Sequence, residues 1–446
     1  MIELSKLILT KSPSLLITII IPNSPLNAKQ SFSSYISSVS SSFPSITFIF
    51  HPIVPLLLGS PSNYADLESI AYETIRSNNT NLHESLKSLS QSSKISAFIL
   101  DFFCYSAVEV SESFNIPTYF FFASGASCLA FFLNFPVYDK IHADSLKNVK
   151  VPLEIPGLFS VPTTHMIECM LDRGYSYNEF IKMAKTMIRS NGIIVNTFES
   201  LEVRAIEGLK QGKCVQECSI PPIYCVGPLI ANGGGKNGDE GRHECLRWLD
   251  TQPSRSVVYL CFGSGGAFSK KQIKEIAFGL EKSGVRFLWV VKNPPNEDEP
   301  NLDLILPEGF LDRTKEKGHV VKSWVPQIEV LAHESVGAFV THCGWNSTLE
   351  AVCAGVPLVA WPLYAEQKFN MISLVEEIGI ALPMDGSIDG FVSSREIEKR
   401  VKQVMSSKEG YAIRKRVLDL KDKARGSLNE GGPSDMALTT LVESMK

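Results

Sequence analysis

Short apolar runs of strand length recur along this chain, each followed by a stretch long enough for a helix. They fall at residues 15–21, 45–50, 95–100, 119–122, 192–196 and 223–226, and again at 256–262, 286–291, 319–322, 337–341, 357–361 and 379–382. The runs are continuous rather than alternating, so both faces of each strand are to be buried, and helices between them imply a parallel sheet. Two such sets predict an α/β chain of two doubly wound domains. At 446 residues there is room for both.

The expected boundaries are 1–227 for the first domain, 228–244 for a linker, 245–425 for the second domain and 426–446 for a polar helical tail that packs back on the first. The linker reading rests on the Gly-rich polar stretch 232–241, which cannot pack a core. The opening is unusual. Ile2, Leu4, Leu7 and Ile8 have helical spacing, so the chain opens in a helix. A doubly wound domain opens with a strand that lies in the middle of its sheet. The first strand of the N-terminal domain is therefore expected to be missing, leaving the strands on either side of its place without a neighbour.

Lys and Arg number 43 against 47 Asp and Glu, a net charge of -4, which argues against a nucleic-acid partner. Ten Cys occur without a C-x-x-C pair, and Cys214 and Cys218 are too isolated for a zinc site. Buried thiols in a reducing, cytoplasmic setting are expected. Residues 116–135 are apolar and long enough to span a bilayer, but Pro117, Gly125 and Asn134 break them into a strand, a turn and a helix, so no membrane insertion is expected.

The chemistry concentrates at 324–367. A strand at 337–341 runs into His342-Cys343-Gly344-Trp345-Asn346-Ser347 and then a helix through Thr348. A strand, a tight turn and a helix N-terminus bind anions through free N–H groups and the helix dipole. Ser347 and Glu350 also have the S-x-x-E spacing of a capping box, and the two readings are compatible. Gly263-Ser264-Gly265-Gly266 after the run 256–262 offers a second turn of this kind. It is not G-x-G-x-x-G, which counts against a nicotinamide-dependent oxidoreductase.

Taken together, Trp324-Val325-Pro326-Gln327, the 342–347 turn, Glu350, Gly355-Val356-Pro357-Leu358 and Glu366-Gln367 resemble the 44-residue sugar-nucleotide box of plant family-1 UDP-glycosyltransferases. The resemblance extends to 99–103, 196–202, 226–229 and 256–264. It implies the GT-B fold, two facing Rossmann-like domains with the acceptor in the first and the UDP-sugar mostly in the second. It implies that Trp324 stacks on uracil, that Val325 and Gln327 belong to the uridine site, and that Glu350 takes both ribose hydroxyls. Ser264, His342, Asn346 and Ser347 would hold the diphosphate. Trp345, Glu366 and Gln367 would contact the sugar, and Gln367 accompanies glucose in relatives that carry it.

The implied reaction is an inverting transfer that uses no metal or cofactor, with UDP-glucose as donor co-substrate and a small-molecule acceptor, in a monomer. The family's general base is a His after the first strand, oriented by an Asp roughly a hundred residues on, base and orienter in the usual pairing. Asp101 matches that Asp, and its place also fits a helix N-cap. The His has no match among the eight, which are 51, 83, 142, 165, 243, 319, 333 and 342. His51 is read either as a substitute base or as a loop or acceptor-pocket residue. The absent strand and absent base together predict an N-terminally truncated chain.

Phe102, Phe103, Phe120, Phe121, Phe122, Phe131 and Phe132 are candidates for an apolar acceptor pocket or for core. Ser124 stands where relatives often carry a Thr touching the sugar. The first half resembles the branch that glucosylates flavonoids, chalcones and related phenols. Three other readings stand beside it: a UDP-sugar-binding chain left inactive or feeble by the absent His, a terpenoid or hormone O-glucosyltransferase, and the oxidoreductase.

Overall fold

The computed structural model describes residues 1–23, 33–56, 66–142, 145–215, 219–231, 242–293 and 299–446. Residues 232–241 of the expected linker, and Cys218, lie outside them. The chain divides into two compact units, 1–163 with 168–229 and 427–446, and 164–167 with 230–426. Each apolar run is a strand, and every pairing within a sheet is parallel.

The first unit holds β1 (Ile17–Pro22), β2 (Ile46–His51), β3 (Phe98–Asp101), β4 (Thr118–Phe122), β5 (Gly192–Val195) and β6 (Ile223–Cys225). They form two pieces, β1-β2 and β3-β4-β5-β6. Among the described residues β1 and β3 therefore each have a single hydrogen-bonded neighbour, as a doubly wound sheet without its middle strand requires. The opening helix Ile2–Lys11 buries Leu4 and Ile8 in one cluster with Tyr119, Phe121 and Ile194.

The same cluster takes Leu438, Leu441, Val442 and Met445 from the last helix, Pro433–Ser444. Tyr119 donates to the Ser444 carbonyl at 2.9 Å and Ser434 to that of Gly227 at 2.6 Å. The tail thus differs from its sequence reading in two ways. The helix Lys408–Leu428 runs through Gly426, and the final helix starts only at Pro433, whose fixed φ suits a first turn. Nor is the tail simply polar, because it carries a buried apolar stripe.

Within 116–135 the structure has β4 and the helix Ala126–Ile141, both buried. No helix among the described residues is long and apolar enough to cross a membrane. Gly125 caps that helix without a side chain, so its first amides need another acceptor. Glu202 supplies it, accepting from the N–H groups of Ala126 at 2.7 Å and Ser127 at 2.8 Å and from the Thr197 hydroxyl at 2.7 Å. The 196–202 stretch therefore has a structural use.

The second unit holds β7 (Val257–Cys261), β8 (Arg286–Val291), β9 (Gly318–Lys322), β10 (Val336–Thr341), β11 (Leu358–Ala360) and β12 (Ala381–Pro383), in the order β12-β11-β10-β7-β8-β9. The chain starts in the middle at β7, walks out to β9, then crosses back to β10. A core of Val258, Leu260, Trp289, Val340 and Val359 packs one sheet face against Ile276, Leu280, Ile397 and Val401 of the helices Lys270–Ser283 and Ser394–Ser406.

Candidate nucleotide-sugar site

Ligands of open parallel sheets sit beyond the carboxyl ends of the strands, where the strand order reverses. In the second unit that point lies between β7 and β10, which pair Cys261 with Thr341. All the donor-site residues expected from the sequence follow such ends. Ser264 comes after β7; Trp324, Val325 and Gln327 after β9; His342 to Glu350 after β10; Glu366 and Gln367 after β11.

The turn after β10 is built around Cys343, whose φ of 65° is left-handed. Its N–H donates to Thr341 Oγ1 at 3.3 Å, and its carbonyl accepts from Asn370 Nδ2 at 3.0 Å. Gly344 then N-caps the helix Trp345–Ala354, and no side chain caps that end. Ser347 is the third residue of the helix rather than its cap, so the capping-box reading falls. First-turn amides have no acceptor in their own helix and sit at its positive end, where an anion is favoured.

His342 lies against two glycines. A Cβ added to Gly263 or to Gly344 would stand 2.5 Å from its Nε2, closer than atoms can approach. Burial, and then the positive charge of Lys292, pull the imidazole pKa down to about 4. The ring is therefore neutral near pH 7, with one N–H to donate, and its Nδ1 has no hydrogen-bond partner among the described residues.

Gln327 organises the next part. Its Nε2 donates to Glu350 Oε2 at 2.7 Å and to Ser347 Oγ at 2.9 Å, while its Oε1 accepts from the Tyr259 hydroxyl at 3.3 Å. Burial raises the Glu350 pKa, and the Gln327 bond opposes that rise. The carboxylate keeps lone pairs for two hydroxyl donors. Trp324 is 64% exposed, following Ser323 at a φ of 65°. Its indole is a flat apolar face that a planar ring can cover.

Two expected contacts change character. Trp345 is 3% exposed and Val325 4%, so little of either side chain faces solvent. Trp345 is the first residue of its helix, and its indole turns into the core. Gln367 is buried too, with Oε1 taking the N–H groups of Leu363 at 2.9 Å and Tyr364 at 3.0 Å. That fixes its amide and leaves Nε2 as donor. Glu366 N-caps the helix Gln367–Ile372, and Ser264 and Asn346 are exposed.

Three residues join that the sequence reading passed over. Tyr259 and Lys292 are described above, and the Tyr364 ring centre lies 6.4 Å from that of His342. Lys292 carried a usable signal, since it directly follows the carboxyl end of β8. Tyr259 lies inside a buried run and carried none.

In the first unit, Asp101 ends β3. Its Oδ1 accepts from the Phe103 N–H at 3.1 Å, so it is a helix N-cap, and burial raises its pKa against that bond and the nearby Met1 ammonium. The phenylalanines pack largely on one another. Ring centres of Phe102 lie 4.5 Å from Phe103 and 4.9 Å from Phe122, with Tyr72 and Phe180 completing the cluster. Phe120, Phe121 and Phe131 are core, and Ser124 is buried. His51 is 5% exposed, its Nε2 lies 2.9 Å from Ser85 Oγ, and burial lowers its pKa. It ties β2 to the helix Asn79–Ser92, which is a structural placement and not that of an accessible base.

A helix end without a side-chain cap, an exposed indole and a partly buried carboxylate thus stand at neighbouring strand ends beside the sheet's switch point. Residues 228–419 match the family model described as UDP-glucoronosyl and UDP-glucosyl transferase. The chain is 47% identical to UDP-glycosyltransferase 88B1 of Stevia rebaudiana, over 100% of this chain and 95% of that protein. It is 45% identical to the anthocyanidin 5,3-O-glucosyltransferase of a Rosa hybrid cultivar, over 100% and 96%. Among solved structures, a Polygonum tinctorium UDP-glucosyltransferase capable of glucosylating indoxyl, in complex with 3,4-dichloroaniline, matches at a TM-score of 0.89 and 37% identity, covering 100% of this chain and 94% of that one. The chain belongs to the plant UDP-glycosyltransferases and has their GT-B fold. The expected truncation finds no support in these lengths, since the chain spans nearly all of both relatives.

Proposed function

We propose that this chain transfers glucose from UDP-glucose, with inversion, to a hydroxyl of a small phenolic acceptor such as a flavonoid or chalcone. The observation that carries the reading is the uncapped helix end at Gly344 beside the neutral, glycine-flanked His342, at the sheet's switch point. The anthocyanidin-glucosylating relative supports the donor and the acceptor class. The acceptor oxygen attacks the anomeric carbon, the bond from that carbon to the β-phosphate oxygen breaks, and UDP leaves with the electron pair. Charge growing on the phosphate meets the helix N-terminus, the imidazole N–H and the Ser264 and Ser347 hydroxyls, which are already in place. The Gln367 amide donates to a sugar hydroxyl.

The acceptor proton needs a separate account. Asp101 is present, and none of the eight His of the sequence stands at the base position that the resemblance implies. A phenol of pKa about 10 is ionised to about one part in a thousand at pH 7. A general base typically adds about 10²–10⁴-fold. A phenolic acceptor therefore retains reactivity that an alcohol would lose. The same absence favours a second reading, a chain that binds UDP-sugars and transfers feebly. Free thiols suit a reducing compartment such as the cytoplasm. The test is incubation of the purified chain with UDP-glucose and a panel of flavonoids, with products read by mass spectrometry and UDP binding by calorimetry. Glucosides support transfer. UDP binding without product supports the second reading, and failure to bind UDP refutes both.

A further inference from the structure

The residues assigned to the diphosphate supply dipoles and neutral donors: Ser264, His342, Asn346, Ser347 and the helix end. A full positive charge stands next to them. Lys292 follows β8, which pairs with β7, so it lies beside the turn that β7 enters. Its Nζ donates to the Gly263 carbonyl at 2.6 Å, and its charge is felt at the His342 ring. The Gly263 carbonyl and the Ser264 N–H belong to one peptide plane and point in opposite directions across it. Holding one fixes the other. Gly263 has a φ of 76° and no side chain, so no Cβ helps to hold the peptide that follows it.

We propose that Lys292 is a positioning residue of the diphosphate site, which anchors the Gly263 carbonyl, thereby directs the Ser264 amide, and places a cation beside the leaving phosphate. The proposal rests on the donor-site reading above. An ammonium is a point charge that neutralises an anion without bidentate geometry, as needed where a backbone carbonyl already takes one of its three donors. The lysine then acts on diphosphate and not on nucleoside.

Calorimetry of the full chain with uridine, UMP and UDP tests it, using wild type, Lys292→Gln, Lys292→Met and Lys292→Arg, with melting temperatures as the fold control. In Lys292→Gln the amide can still reach toward the carbonyl but the charge is gone. The expected result is tenfold or greater loss of UDP affinity, a smaller loss for UMP, uridine within twofold of wild type, and recovery of most UDP affinity in Lys292→Arg. Lys292→Met replaces Lys292→Gln if the latter does not fold. UDP binding within twofold of wild type in the neutral variant overturns the proposal. So does equal loss of uridine and UDP at unchanged melting temperature, or an Arg variant as weak as the neutral one. A wild type that binds no UDP brings down the donor-site reading itself, a distinct result from a wild type that binds and a variant that does not differ.

Discussion

Glu350 offers the most direct measurement on the donor site. Its Oε2 is held by Gln327 at 2.7 Å, which turns the remaining lone pairs outward. A hydrogen bond from a ligand hydroxyl to a carboxylate contributes about 1.5–3 kcal/mol. Two such bonds amount to about 3–6 kcal/mol, and at about 1.4 kcal/mol per tenfold that is about 10²–10⁴ in affinity. Glu350 is only partly buried, so the lower end, about a hundredfold, is expected for Glu350→Ala with UDP. Glu350→Gln should lose less, because an amide oxygen still accepts. Calorimetry with UDP and with its 2′,3′-dideoxy analogue decides the matter. The analogue lacks the hydroxyls and should bind wild type and variant alike. An equal loss for both ligands would falsify the ribose assignment. A pH arm follows from the raised pKa of Glu350. Affinity for UDP-glucose should fall as pH drops through that raised value, because a protonated carboxyl is a poorer acceptor, and Glu350→Gln should flatten the profile. For stability the sign is opposite. The folded chain keeps this proton longer than the unfolded chain, so the contribution of Glu350 declines as pH rises from 4.5 through the folded value.

Four further outcomes are expected. Gly344→Ala puts a Cβ 2.5 Å from His342 Nε2 and should weaken UDP binding at least tenfold with a small change in melting temperature; unaltered binding by calorimetry would remove His342 from the site. Tyr259→Phe releases the Gln327 amide oxygen from its 3.3 Å bond and should cost a few-fold in UDP affinity, with no effect on a Gln327→Ala background. Leu441→Ala empties a fully buried position in the first unit and should destabilise it by about 2–5 kcal/mol in urea titration while UDP binding in the second unit persists. The rate of phenol glucosylation should climb nearly tenfold per pH unit below the acceptor pKa of about 10, whereas a plateau starting near 6.5 would betray a histidine base.

The strands were legible because burial on both faces writes them as unbroken apolar runs, and β4 and β7 are buried throughout. The split sheet of the first unit could be read from an opening helix where a strand belongs. The turn after β10 was legible because strand, glycine and helix follow one another within a few residues. What stayed hidden depends on direction in space. Trp324 and Trp345 are one residue type in one window, yet one is 64% exposed and the other 3%, a difference that no local pattern encodes. The S-x-x-E pattern misplaced the helix start by three residues, since a glycine cap has no side chain to advertise itself. The partnership of Lys292 with Gly263 spans 29 positions and rests on β7–β8 pairing, which no local pattern encodes.

The divided sheet of the first unit has a consequence for how the protein survives in solution. A strand bonded on one side leaves every second amide and carbonyl of the other side to water or to any extended chain that passes. Among the described residues β1 has only β2 beside it and β3 only β4, so their unpaired groups should exchange hydrogen faster than the amides of β7, which β8 and β10 flank. Open edges are also templates for a second molecule. Among the described residues β2 and β6 in the first unit and β9 and β12 in the second also have one neighbour, so β1 and β3 add to the edges through which concentrated samples can pair.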